Sequence, residues 1–437
     1  MGVGDVTATT LPATRGLPRF GRLQTIGLIY ALFGAFLTFN VVPNLERVDK
    51  AVTFEPPPDP LTLSFDPRLV AAIIGVVFIG TGVSTFLGPR LERVAHYGLI
   101  VSTACIAPLI IVLALALSDT ADTNVLQLMV ESLRLGTPIA LGAMAGLWCE
   151  RAGVVNIGIE GMMLGSAGVG FAVYATIGEG TGGTWLWISI LVAILTGGLI
   201  ALLHAIVAVS FRTDQIISGV VINLLALGGT GFLRSEIIVP SGVSSGESTS
   251  TIALPGLSDI PIVGSQVFTQ KPIFYAMFVV VALSWFVLFK TPFGLRVRAC
   301  GEHPHAAETL GINVIRTRYT AVIVGGLIAG LAGAWYSLET QGGFEDNMTS
   351  GAGFIALAAL IFGKWKPWTA FAGAMLFGFS RALGTRLQIL GVEIGDFSIP
   401  SEFWQSLPFV VTIIVVAGAI GRAVAPAADG QPYQRSR

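Results

Sequence analysis

Glu160 stands in the apolar stretch "VVNIGIEGMM" (154–163), with Asn156 four residues before it. A carboxylate at such a place is costly to bury and marks a functional site by default. At helical spacing Asn156 and Glu160 share one face. They could line a cavity and make polar contact with a small molecule. They could equally cap a helix end and join helices, since Gly158 and Gly161 permit close packing there. Asn223, in "TDQIISGVVINLLALG", is a mid-span amide with the same two readings: glue between helices or a contact to a bound molecule. Trp335, Tyr336 and Phe344 gather near one span end, where rings serve as a stacking platform or as an interfacial belt. Arg381 could hold an anionic group or snorkel outward beside Arg386.

Other chemistries find little provision. Cys105, Cys149 and Cys300 have no C-x-x-C spacing, and His303 and His305 lie two apart, on different helical faces. No metal site or disulfide framework is expected. No two titratable groups within a span lie close enough in sequence for an evident acid–base pair, which argues against a membrane enzyme. No G-x-x-x-x-G-K-[ST] occurs; Gly363-Lys364 is followed by Trp365, so this chain has no P-loop to cradle ATP phosphates.

The elements that must position these residues are membrane spans. The 437 residues are 53% hydrophobic and only 12% charged, against about 25% in ordinary soluble domains. Mean hydropathy is +0.77. A net charge of −1, without a basic tail, argues against a nucleic-acid partner. Apolar runs at 23–42, 69–88, 97–118, 135–149, 154–176, 184–209, 214–233, 272–290, 318–338, 351–363, 367–386 and 405–421 predict an all-α polytopic membrane protein. The expected count is about ten to twelve transmembrane helices, because the fourth and tenth runs are short enough to be tilted, broken or re-entrant. The first run follows Arg15, Arg19 and Arg22; it is too long for a signal-peptide core and has no A-x-A pattern after it, so it reads as a retained span.

With a cytoplasmic N-terminus, only Arg47, Lys50, Arg68, Arg134, Arg234, Lys271 and Arg386 of the 25 Lys and Arg residues fall outside. That is the bias expected of a protein in the plasma membrane with both termini inside. The 234–271 segment, rich in Gly, Ser and Pro, is then an outer loop.

One polar island interrupts this pattern. In "RACGEHPHAAETLGI" (298–312), Pro304 suits the first position of a helix and Gly311 a left-handed C-cap. The helix between them has under two turns and needs support from a partner or from its own bundle. On composition alone it could be an ordinary hairpin connection, bracketed by Arg296, Arg298, Arg316 and Arg318.

The longer run "GLRVRACGEHPHAAETLGINVIRTRYTAVIVGGLIAGLAGAW" (294–335) resembles the permeases of ATP-driven importers for nucleosides and simple sugars. In that family a G-E-x-P-x-A-A-x-x-x-G-I segment forms the coupling helix that docks on the ATPase, and Asn often stands where this chain has His303. Three further blocks agree: "TPIALGAMAGLWCERAGVVNIGIEGMMLGSAG" (137–168), "GAGFIALAALIFGKWKPWTAFAGAMLFGF" (351–379) and "LPFVVTIIVVAGAIGRAVAPAADGQPY" (407–433), the last being similar to the nucleoside-type C-terminus. The resemblance covers about 125–433 and leaves the first three spans unmatched.

It implies the compact, type II-like fold of the larger ABC importers, with a tail (1–22), additional helices (23–124), a permease core (125–423) holding the coupling segment 294–316, and a second tail (424–437). ATPase coupling would fall to Gly301, Glu302, Pro304, Ala306, Ala307, Thr309 and Gly311. Phe354 would join Asn156, Glu160, Asn223, Trp335 and Arg381 along the substrate pathway, where Glu160 could meet ribose hydroxyls. The implied partners are an ATP-binding subunit that uses ATP and Mg²⁺, a sister permease making a heterodimer, an outer substrate-binding lipoprotein and the lipid bilayer. The rival reading is an ion-coupled secondary transporter. A single deep carboxylate without an Asp or His companion is thin provision for ion coupling.

Overall fold

A computed structural model describes residues 21–45, 49–53, 62–87, 92–116, 122–178, 183–243, 246–261, 263–389, 393–394, 397–398, 400–414 and 423–434. Arg15, Arg19, Arg47 and residues 415–421 of the expected last span lie outside them. The chain divides into two compact units.

The smaller unit holds α1 (Arg22–Phe36), α2 (Pro67–Ser84) and α3 (Glu92–Ala116). Asp66 starts α2 by accepting the Arg68 N–H at 2.8 Å, with Pro67 at the first helical position. Leu37, Ala71, Ile74, Phe78, Leu109 and Val112 form this unit's own apolar core.

The larger unit carries α4 (Val125–Arg151), α5 (Ile159–Val173), α6 (Gly183–Ala205), α7 (Gln215–Leu233), α8 (Gly264–Val267), α9 (Pro272–Lys290), α10 (Pro292–Glu302), α11 (Pro304–Thr309), α12 (Val314–Ala334), α13 (Ala352–Phe362), α14 (Pro367–Ile389), α15 (Ser401–Gln405) and α16 (Leu407–Ile414). Side-chain caps set several starts: Asn124 for α4, Asp214 for α7, Thr291 for α10 and Asn313 for α12. Among the described residues strands form only short pairings such as Ile252–Ala253 with Thr269–Gln270.

Among the described residues six helical stretches are long and apolar enough to cross a membrane: Leu23–Asn44, Pro67–Ser84, Gly183–Ser210, Gln215–Ile238, Pro272–Lys290 and Val314–Gln341. Three more helices, α3, α4 and α14, are comparably long. The protein is an all-α polytopic membrane protein. Two of the expected spans take a different form. The fourth is not short, since α4 runs 27 residues by adding amphipathic turns before the apolar 135–149. The tenth is short: α13 has 11 residues, about 16 Å at 1.5 Å per residue, against a hydrocarbon core of about 30 Å. The chain 342–351 before it is irregular.

The centre of this unit is α12. Lipid supplies no hydrophobic drive between helices, so small residues that let backbones touch hold such bundles together. Each of three α12 faces uses glycine in this way. An added Cβ at Gly325 would lie 2.7 Å from Ala145 O of α4, and one at Gly333 would lie 2.3 Å from Met163 O of α5. At Gly326 it would lie 2.2 Å from Ala201 Cβ and 2.5 Å from Gly197 O, both on α6. Gly326→Ala is therefore expected to destabilise the bundle by about 1–3 kcal/mol through overpacking. Gly228→Ala, where a Cβ meets nothing within 4 Å, should be neutral. Thermal unfolding in detergent checks both; equal melting of the two variants would contradict the close α6–α12 contact.

Candidate functional site

Two interruptions of regular structure meet inside the larger unit, and the polar candidates gather around them. The first lies between α4 and α5, where the chain runs irregularly through Ala152–Gly158. Buried non-helical backbone needs side-chain partners. The Val155 N–H donates to Gln215 Oε1 at 2.7 Å, and the Val155 carbonyl is 3.0 Å from His204 Nε2. A carbonyl only accepts, so His204 Nε2 carries the hydrogen, and Nδ1 pairs with Ser218 Oγ at 2.9 Å. Asn223 splints the break to α5. Its Nδ2 donates to Ile157 O at 3.1 Å and its Oδ1 accepts the Gly161 N–H at 2.8 Å. Asn156 lies within the break, so the expectation that it shares a helical face with Glu160 fails: there is no helix between them to define a face. Its amide is fully buried, with Nδ2 toward Cys149 Sγ (3.4 Å) and Met162 Sδ (3.5 Å).

The second interruption is 342–351, ahead of α13. Asn347, Ser350 and Gly351 there have φ of 56°, 45° and 76°, the left-handed region. Glu160 closes this turn. Its Oε1 accepts from Thr349 Oγ1 at 2.7 Å and from the Gly351 N–H at 2.8 Å, and its Oε2 accepts from the Gly353 N–H at 2.6 Å. Those amides are free because they begin a helix, and the α13 dipole favours a negative charge at that end. Glu160 thus caps α13 rather than its own helix. Gly353 is required for the approach, since a Cβ there would sit 2.5 Å from the Glu160 nitrogen. Glu160 is also not alone as a deep carboxylate. Helical winding continues past α12 through Trp335–Gln341, which draws Glu339 inside at 1% exposure, where it accepts from the Ile273 and Phe274 N–H groups that open α9.

Arg381 reaches toward the same turn. Its Nη2 donates to Ser350 O and its Nη1 to Tyr336 Oη, both at 3.3 Å. Trp335 packs edge-on to Tyr336 at 4.9 Å, and both rings are buried with Phe344. Beside Arg381 a cavity of about 480 Å³ is lined by Gln388, Glu402 and Trp404, among others. Phe354 stands apart, exposed on α13. The structure therefore joins Glu160, Tyr336, Ser350 and Arg381 around one turn, with Asn223 and Asn156 at the neighbouring break.

The coupling candidates form a separate cluster. Pro304 opens α11, Gly311 takes φ 80° just beyond its end, and His303 makes no side-chain cap. Ala307 is buried; Ala306, Thr309 and Leu310 are exposed. Gly301 lies under α4, where a Cβ would meet Arg151 O at 2.3 Å. Glu302 pairs with Arg151 at 3.8 Å, and Arg151 also donates to Trp365 O. Trp365 in turn donates to Glu150 Oε2. Burial pushes the Cys300 thiol up from its ordinary range, and pushes the Asp429 carboxyl up to about 7 despite the Arg318 guanidinium beside it.

The sequence reading named neither Thr349, Gly353, His204 and Gln215 nor Glu339 as site residues. Thr349 is 189 residues from Glu160, so no local spacing could reveal the pair.

Helices interrupted at buried positions recur in membrane transporters. The family model for the permease component of branched-chain amino acid transport systems matches residues 128–416, and the chain belongs to that family. It is a permease subunit and not an enzyme. It is 42% identical to the guanosine ABC transporter permease protein NupQ of Bacillus subtilis over 311 residues, which cover 70% of this chain and 96% of that protein. It is 42% identical to the nucleoside ABC transporter permease protein NupC of Lactococcus lactis, covering 72% and 99%. A putative glucose ABC transporter permease protein, TsgC13 of Haloferax volcanii, is 34% identical over 70% of this chain and 96% of its own length. No solved structure matches.

Because three donors converge on Glu160, Glu160→Ala should leave them unpaired at about 1–3 kcal/mol each and sharply reduce the yield of folded chain. Glu160→Gln keeps one acceptor oxygen and should recover part of that yield, with transport per folded molecule preserved. Full yield with transport abolished in the Gln variant would mark a cargo contact instead.

Proposed function

We propose that this chain forms the translocation pathway for nucleosides in an ATP-driven importer, with α11 as the helix that receives the motion of a separate ATPase. The observation that carries the cargo assignment is the 42% identity to two permeases named for guanosine and nucleosides, against 34% to one named for glucose. A simple-sugar cargo is the second reading, supported by that third relative. The site chemistry suits either, because both cargoes are neutral and rich in hydroxyls. On this reading Arg381, Tyr336 and the buried Trp335 and Phe344 rings supply donors and stacking faces near the α13 turn. Asn156 offers an amide at the neighbouring break, and Phe354 faces outward from α13. Glu160 and Asn223 hold the turn and the break in shape.

The coupling assignment is supported by α11 itself. It has six residues, too few to stand alone, and displays Ala306, Thr309 and Leu310, the last 81% exposed. An apolar tip on a short braced helix suits docking into a groove of another protein. ATP and Mg²⁺ are consumed in that ATP-binding subunit, a sister permease completes a heterodimer, and an outer binding lipoprotein delivers cargo. The termini and α11 are cytoplasmic, and the 234–271 segment is outside.

Cysteines at Ala306 and Thr309 should crosslink to the ATP-binding subunit in native membranes, whereas a cysteine at Ser250 should be labelled in intact cells by an impermeant thiol reagent. Radiolabelled nucleoside uptake should require ATP and persist when ion gradients are collapsed. Uptake that follows an ion gradient in ATP-depleted vesicles would sink the importer reading.

A further inference from the structure

Residues 423–434 return to the bundle and lie along the coupling cluster. The Ala428 N–H donates to Gly301 O at 2.8 Å, and the Ala427 N–H donates to Glu302 Oε2 at 3.1 Å. Arg318 Nη1, from α12, donates to Gln431 O at 3.0 Å. Tyr433 then places its ring 5.4 Å from that of His305 on α11 and 5.9 Å from the Arg318 guanidinium. With Cys300 of α10, Ala307 of α11 and Val314 of α12, Tyr433 forms a buried apolar cluster distinct from the main core. The other three side chains are small. Tyr433 is the largest side chain of this cluster, against which Ala299 and Ile312 also pack, and its ring offers far more apolar area than alanine, valine or cysteine.

The neighbouring backbone is shaped to admit this segment. Gly153 has φ 81°, and a Cβ there would lie 2.8 Å from Arg318 Nη2 and 3.0 Å from Ala428 O. One strip of chain therefore contacts α10, α11 and α12 and borders the break after α4.

We infer that the C-terminal segment 427–433 is a positioning clamp for α11, with Tyr433 as its principal positioning residue. The inference rests on the coupling role given to α11 above. A helix of six residues joined to the bundle only by its two flanking turns would rotate under load. Packed against Tyr433, whose own segment is bonded to Gly301, Glu302 and Arg318, it moves as one body with α10 and α12. Displacement of α11 is then passed to the helix that sits at the centre of the bundle.

The test uses the complete importer in proteoliposomes, reading nucleoside imported per ATP hydrolysed. Tyr433→Phe keeps the ring and should match the parent. Tyr433→Ala should retain the ATP-binding subunit and continue to hydrolyse ATP, while import per ATP falls several-fold. Unchanged import per ATP in Tyr433→Ala overturns the clamp. Crosslinking from the Ala306 cysteine in the parent separates this failure from failure of the coupling reading. If the crosslink forms, only the clamp falls; if it does not, the coupling role itself falls. Should Tyr433→Ala fail to assemble, His305→Cys with Tyr433→Cys, joined by a short bis-thiol reagent, decides the matter. Import retained while the two are joined supports a clamp that stays closed. Import lost on joining and regained on release would show that the segment must leave α11, and would overturn it.

Discussion

Every backbone N–H and C=O inside an apolar bundle needs a partner, and water is not there to supply one. Regular helix meets that demand locally. Two places in the larger unit where the chain leaves helix, Ala152–Gly158 and 342–351, meet it with side chains sent from other helices. Gln215, His204 and Asn223 serve the first; Glu160 and Arg381 serve the second. Glu160 belongs to the helix that begins at the first break and binds the helix that begins at the second. The two irregular segments are thereby made interdependent, and the ring-lined region near Tyr336 and Arg381 takes its shape from both.

The same device recurs at Glu339, which binds the start of α9. In both cases a buried carboxylate meets unpaired amides at a helix N-terminus. At both sites oriented N–H groups offset the negative charge, and at Glu339 the Lys271 ammonium lies beside them as well. An ion pair at such a depth would carry two desolvation penalties; a carboxylate on a helix end carries one. The pairs Glu131–Arg134 and Arg234–Asp346, by contrast, form between exposed side chains.

Much of the fold was legible in the sequence because hydropathy has a long memory: twenty apolar residues in a row can mean little else. The α11 boundaries were equally legible, since Pro304 and Gly311 act through local backbone geometry that needs no distant partner. The site was less so. Asn156 and Glu160 looked like neighbours on one helix because spacing was the only guide, and the break between them depends on His204, Gln215 and Asn223, which lie far along the chain. Glu339 was hidden for another reason. It follows the apolar run 318–338, and only the continued winding of Trp335–Gln341 draws it inside. Periodicity locates helices; it does not say which helix end a carboxylate will find.

The glycines of α12 set a limit on how this bundle can move. Close backbone approach at Gly325, Gly326 and Gly333 seats α12 against α4, α6 and α5 between its packed side chains. Rotation of α12 about its own axis would drive Gly325, Gly326 and Gly333 out of their seats and carry bulkier neighbours into them. Tilting together with α4, α5 and α6 disturbs none of these contacts. Keyed in this way, α12 is expected to shift together with α4, α5 and α6 as a block.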